Sequence, residues 1–211
     1  MREVGVVSGP GKTAAQIEAM VGALLRECAG PVFVTRATAE QRDAVCKVWP
    51  QALHHQRSGL SVARPFQGPL RGQLAVVTAG TSDLAAAEEG AAAARALGVA
   101  VTGIADVGVA GLHRLIAHRG LLEQVDCVIV AAGMDGALAS VTAGLVSCPV
   151  IALPTSIGYG TSLQGVAALL SMISSCTPGV AVVNVDDGVG AALVACRTIR
   201  SYRSRRSSCM S

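Results

Sequence analysis

Aromatic side chains are almost missing from this chain: one Trp, two Tyr and two Phe make up 2% of 211 residues, although 51% are hydrophobic. The interior must therefore be built from Ala, Val, Leu, Ile and Gly, which favours close approach of helices to a sheet. Long apolar runs are missing as well. The longest, over 143–153, is broken by Ser147 and Pro149 and falls short of the roughly eighteen residues that a membrane span needs. No secretory pattern opens the sequence, since Arg2-Glu3 is followed by a short run ending in Gly-Pro-Gly. None of the seven cysteines forms a CxxC pair or a zinc-like spacing. An odd count without a leader indicates reduced thiols, so a cytoplasmic protein away from membranes is expected. Acidic residues stop at Asp187, after which come Arg197, Arg200, Arg203, Arg205 and Arg206. Without these five the balance is 12 cations to 14 acids, net −2, which excludes a basic nucleic-acid surface on the rest of the chain. The basic end itself, 201–211, has little to bury and reads as a disordered tail.

What is present is organised around 74–114. An apolar run over 74–77 suits a strand buried on both faces. It stops at Thr78-Ala79-Gly80-Thr81-Ser82-Asp83, and an alanine-rich helical pattern follows over 84–97. Ser82 or Asp83 can cap that helix. Gly98 ends it, and 99–104 reads as the next strand, completing a βαβ unit. Further strands are expected over 127–131, 149–153 and 180–185, with helices between them, hence a parallel sheet covered on both faces. Each strand runs into a small-residue loop: AGTSD, ADVGVAG, AAGMDGA, PTSIGYGTS and NVDDGVGA. Five such loops on one sheet edge would cradle a phosphate and a flat ring, or would simply allow tight turns.

The first third is expected to be a small α/β domain and linker over 1–68, with strands over 2–8 and 31–35 and helices over 13–26 and 39–48. Gly9-Pro10-Gly11-Lys12-Thr13 resembles a phosphate loop, but that pattern needs Gly where Val6 stands, so it reads as a turn into the first helix. The segment 54–72, rich in polar residues with Pro and Gly, reads as a linker or an edge hairpin. The core then spans 69–200. Glu88 and Glu89 read as a solvated helix face, and Cys127 and Cys148 as core filler.

Several of these stretches together carry a family resemblance. Thr78 to Asp83, Asp106-Val107-Gly108-Val109-Ala110-Gly111-Leu112-His113-Arg114, Ala132-Gly133-Met134-Asp135-Gly136-Ala137-Leu138, Pro154 to Gly160, and Ser175-Cys176 resemble the LarB family of the AIR carboxylase (PurE-like) superfamily. The match extends to the GPGKT and VTRAT segments near the start. The resemblance implies a flavodoxin-like three-layer parallel sheet core with a small N-terminal α/β domain, and a homo-oligomer, commonly an octamer. It implies carboxylation at ring C5 of nicotinic acid adenine dinucleotide by CO2 or bicarbonate. Cleavage of the phosphoanhydride would release AMP, in biosynthesis of the nickel-pincer nucleotide cofactor. No tightly bound cofactor is implied, with Mg2+ as a candidate aid to the hydrolysis; no metal-ligand residues are assigned.

An electron-poor pyridinium cannot attack CO2, but a thiolate added to the ring makes a neighbouring carbon nucleophilic; a base then removes the ring proton and the thiolate leaves. By its SC motif the family's cysteine falls on Cys176, and its base on Asp135, where the family has glutamate. That residue is shorter by one methylene, and proton transfer needs contact within about 3 Å. Two family prolines are Ala85 and Ala139 here, and the chain opens after the family's Arg-rich segment, as a shortened form would. For substrate binding the resemblance offers Thr81, Gly133, Gly136 and Ser156, with Ser82 and Asp83 as ribose or phosphate contacts or a helix cap. Asp106 could hold a hydroxyl or a metal; His113 could reach the site or serve in a core or interface; Tyr159 could stack on a ring. Two other functions stay open: a purine-pathway AIR carboxylase or mutase, and a weakly active nucleotide-binding relative. AAGMDGA lacks the histidine of the purine enzymes.

Overall fold

The computed structural model describes residues 4–208, which divide into two units, Met1–Pro69 with Arg95–Gly98 and Leu70–Ala94 with Val99–Ser211. In the first unit, β1 (Gly5–Ser8), α1 (Ala14–Glu27), β2 (Val32–Thr35), α2 (Ala39–Val48), β3 (Leu53–His55) and β4 (Leu60–Ala63) follow one another. The sheet order is β1-β2-β4-β3, with β1 parallel to β2 and both β4 pairings antiparallel. Thr13 and Thr38 start α1 and α2 with reciprocal capping boxes, each closed by a Gln three residues on. This settles the Gly-Pro-Gly-Lys segment as a turn: Gln41 donates to the carbonyls of Gly9 and Lys12, pinning it to α2. The segment 54–72 contains a hairpin, but only β3 is an edge. β4 is buried along its whole length, because Leu60, Val62 and Ala63 fill an interior that its polar flanks hid.

The second unit comprises β5 (Gln73–Thr78), α3 (Leu84–Ala96), β6 (Ala100–Ile104), α4 (Leu112–Ala117), α5 (Arg119–Leu122), β7 (Cys127–Ala132), α6 (Ala137–Leu145), β8 (Val150–Pro154), α7 (Val166–Ile173), β9 (Val180–Val182) and α8 (Gly188–Ser208). Every strand pairing is parallel and the order is β6-β5-β7-β8-β9, the flavodoxin-like arrangement in which strand order reverses beside the first strand. One face buries Ala75, Val77, Val128, Val130, Val150 and Ala152 under Leu115, Leu122, Leu138, Ala139 and Met172 of the helices. Side-chain alternation sends Leu74, Val76, Ile129, Ile151 and Leu153 to the other face. There a Cβ on Gly90 of α3 would meet the Gly188 carbonyl at 3.3 Å and Ile129 at 3.8 Å. The lack of aromatics is what allows this proximity.

Two expectations change. Residues 201–208 continue α8 as helix rather than forming a disordered tail, since the periodic apolar positions before them carry the helix onward; 209–211 lie outside the described residues. Glu89 is 5% exposed, and its Oε2 accepts the Gly188 N–H at 2.9 Å, so it caps the start of α8 from a buried site instead of facing solvent. Cys127 is fully buried as core filler, and Cys148, half-buried in the lead-in to β8, also packs against the core.

Candidate active site

In a sheet of this order the strands beside the reversal point send their following loops apart and leave a crevice at their carboxyl ends. A cleft of about 310 Å³ occupies that place. Its walls are Ala79, Gly80, Ser82 and Asp83 after β5, Gly108 to Ala110 after β6, and Ala132 to Asp135 with Ala137 and Leu138 around the start of α6; Ile157 closes the side after β8. Small residues make the cleft possible. The Gly108 N–H donates to the Ala79 carbonyl at 2.9 Å, and a Cβ on Gly108 would stand 2.7 Å from that same oxygen. On Gly133 a Cβ would overlap the Ile157 carbonyl and lie 2.7 Å from Thr155 Oγ1.

The loops are held by Asp83, which is 4% exposed. Its Oδ2 accepts the Gly80 N–H at 2.9 Å, while Oδ1 accepts the Gly133 N–H at 3.1 Å and the Thr155 hydroxyl at 2.6 Å. One carboxylate thus joins the loops after β5, β7 and β8. Its oxygens thus serve three internal donors, the Gly80 N–H among them as a cap at the helix entry, while the residue itself stands in the cleft wall. Two residues at the cleft or next to it have left-handed backbone without being glycine, Met134 at φ 55° and Asp106 at φ 59°; such geometry is costly and persists where neighbours over-determine it. The Met134 N–H donates to the Ile157 carbonyl at 3.0 Å, and the Asp106 N–H to Thr78 Oγ1 at 3.2 Å.

Asp135 is exposed on the cleft wall, and its Oδ1 accepts the Ala137 N–H at 3.2 Å. Ser82, Asp83, Gly133 and Asp135 therefore share the cleft; Thr81, Asp106, His113, Gly136, Ser156 and Tyr159 do not line it. Gly136, at φ 65°, supplies the turn into α6. The Asp106 carboxylate pairs with Arg114 at 2.5 Å, a partner that sequence reasoning passed over although it stands in the same motif. His113 is exposed at the second position of α4. The Ser156 N–H donates to Asp186, and Tyr159 is 81% exposed. Cys176 is exposed in the turn between α7 and β9, outside this cleft. The preceding Ser175 accepts a hydrogen bond from Ser140 on α6 at 2.8 Å, which fixes that turn.

A doubly wound parallel sheet with a small-residue cleft at its reversal point defines an α/β protein built to take a small ligand at the strand ends. Comparison with known families makes this specific. The AIR carboxylase family model matches residues 73–210, and the model described as the LarB/PurE-like N-terminal domain matches 4–65. The chain belongs to the AIR carboxylase superfamily, in its LarB family. An uncharacterized protein of Methanocaldococcus jannaschii is 48% identical over 126 residues, 59% of this chain and 48% of that one. The chain thus spans about half the length of the curated relative it matches. The crystal structure of Treponema denticola PurE is 20% identical with a TM-score of 0.47, covering 66% of this chain and 94% of that one. A PurE2 variant from the same organism gives the same identity and TM-score over 67% of this chain and 94% of that one.

Proposed function

We propose that this chain carboxylates the pyridinium ring of nicotinic acid adenine dinucleotide at C5 and splits its phosphoanhydride to release AMP, a step toward a nickel-pincer nucleotide. The observation that carries this reading is a lone exposed carboxylate, Asp135, on the wall of a cleft that contains no histidine. The ring deprotonation that follows carboxylation needs such a base. The missing histidine sets the purine-pathway reading behind, because an aminoimidazole substrate in the related enzymes meets a histidine in the corresponding loop.

In this reading Cys176 adds as thiolate to the ring, C5 of the resulting enamine attacks CO2, Asp135 takes the C5 proton, and the thiolate departs as aromaticity returns. Because Cys176 stands outside its own chain's cleft, the thiol is supplied by a neighbouring copy. Leu163, Val166, Leu170 and Ile173 support this: they leave an apolar stripe 41–66% exposed along α7 and the turn before it, beside the cysteine's own turn. Burying such a stripe between copies is favourable by about 25 cal/mol per Å², and the assembly we infer is a homo-oligomer, an octamer in the pattern of the superfamily. Among the described residues no three His, Cys, Asp or Glu side chains gather to hold a metal.

The deciding experiment incubates the enzyme with nicotinic acid adenine dinucleotide and isotopically labelled bicarbonate and follows products by mass spectrometry. A labelled dicarboxylated mononucleotide together with AMP is expected. Turnover of an aminoimidazole ribonucleotide instead would move the chain to the purine reading.

A further inference from the structure

The first unit holds a side-chain cluster that the cleft does not use. On α2, Cys46 places its Sγ 3.0 Å from Nε2 of His54 on β3, and Nδ1 of His54 lies 2.9 Å from Oγ of Ser61 on β4. The imidazole is thus gripped at both nitrogens between a helix and two strands. Ser61 is 2% exposed, whereas Cys46 and His54 are only half-buried. A serine hydroxyl can accept from Nδ1–H or donate to a bare Nδ1, so the ring can present either state of Nε2 to the sulfur. In one state a bare Nε2 faces the thiol proton, and in the other an Nε2–H points at the sulfur. Burial foremost, and then Arg42, hold His54 below its ordinary value; His55 acts in the same direction and Asp43 against it. The ring is accordingly held in its neutral form. Burial pushes Cys127 and Cys196 up to about 12 and also raises Cys148.

We propose that Cys46, held by His54 and Ser61, is a reactive thiol of the first unit and a modification site for small soft electrophiles of the hydroperoxide class. The step balances as follows. The thiol proton passes to Nε2, the sulfur pair attacks one peroxide oxygen, the S–O bond forms as the O–O bond breaks, and the departing hydroxide takes the proton back as water. Sulfur is oxidised to sulfenic acid and peroxide is reduced. Nothing in this step draws on the carboxylase reading, so the two stand or fall separately.

The test treats the full-length protein with limiting hydrogen peroxide, traps sulfenic acid with dimedone, and follows each cysteine peptide by mass spectrometry over time. Cys46 should be trapped about tenfold faster than the thiol of free glutathione under the same conditions. His54→Gln should remove most of that advantage, and Cys46→Ser should abolish the adduct on its peptide alone. Ser61→Ala, which leaves the ring in place but frees Nδ1, should slow trapping several-fold, and it serves as the measurement if His54→Gln does not fold by circular dichroism. Trapping no faster than glutathione, or an unchanged rate in a folded His54→Gln or Ser61→Ala protein, overturns the proposal.

Discussion

Asp83 offers a quantitative test of how the cleft is held together. Replacing it with Ala would strand the buried Gly133 N–H and Thr155 hydroxyl and a partly accessible Gly80 N–H. Each buried orphan costs about 1–3 kcal/mol, so a loss of about 3–5 kcal/mol is expected. That is a large share of a domain's typical stability of about 5–15 kcal/mol, so Asp83→Asn is the more useful variant. Its carbonyl oxygen can still serve Gly133 and Thr155, while its NH2 group meets the Gly80 N–H donor to donor. One charge-assisted bond is lost and a mild repulsion is added, for an expected loss of about 1–3 kcal/mol. Urea unfolding followed by circular dichroism measures this directly as a lower midpoint at unchanged slope. A midpoint equal to that of the unsubstituted protein, together with weakened nucleotide binding, would refute the tie and return Asp83 to the substrate.

Asp135→Asn and Cys176→Ser should each abolish carboxylation while preserving assembly, and co-refolding the two inactive proteins in equal amounts should restore roughly one quarter of full activity, since only sites with an intact residue from each neighbour work; no recovery would place both groups in one chain. Gly133→Ala should collapse or displace the cleft, seen as loss of nucleotide binding in calorimetry, because its methyl group would overlap the Ile157 carbonyl. Burial pushes Cys127 and Cys196 up from 9.0 to about 12; such raised thiols favour the folded state while neutral, so their contribution is fully present below about 9 and is lost as pH rises toward 12. Native alkylation at pH 9 should therefore miss both, and alkaline titration should show stability falling within that window.

The five core strands were legible because continuous runs such as Cys-Val-Ile-Val-Ala-Ala have no polar face and can only be buried on both sides. The strand order was not, since local patterns carry no information about which strands lie side by side; family resemblance supplied it. Among site residues, the loop of Asp135 was legible as a small-residue turn at the sheet edge, and its role came from the family resemblance. The tie that Asp83 makes between loops was not legible, because a carboxylate after a strand looks the same in sequence whether it meets a ligand, a helix end, or an amide and a hydroxyl 50 and 72 residues away. Glu89 failed likewise, its partner Gly188 lying 99 residues on. The start of α7 was not legible, because Leu163 and Gln164 fit the helical period but take left-handed backbone, φ 47° and 54°. Cys46 and His54 gave no signal, as their pairing depends on how α2 meets β3.

The sole tryptophan, Trp49, ends α2 in the first unit, with the Arg64 guanidinium 5.9 Å from its ring centroid. The second unit has no tryptophan, and its two tyrosines, Tyr159 and Tyr202, are 81% and 55% exposed. Indole emission excited beyond the tyrosine band therefore reports on the first unit alone, whereas far-ultraviolet dichroism is weighted toward the helices of the second. The molecule thus carries its own pair of spectroscopic reporters, one for each unit. Melting curves that separate between the two signals would resolve the unfolding of each unit without any label, and curves that coincide would demonstrate that the units unfold as one.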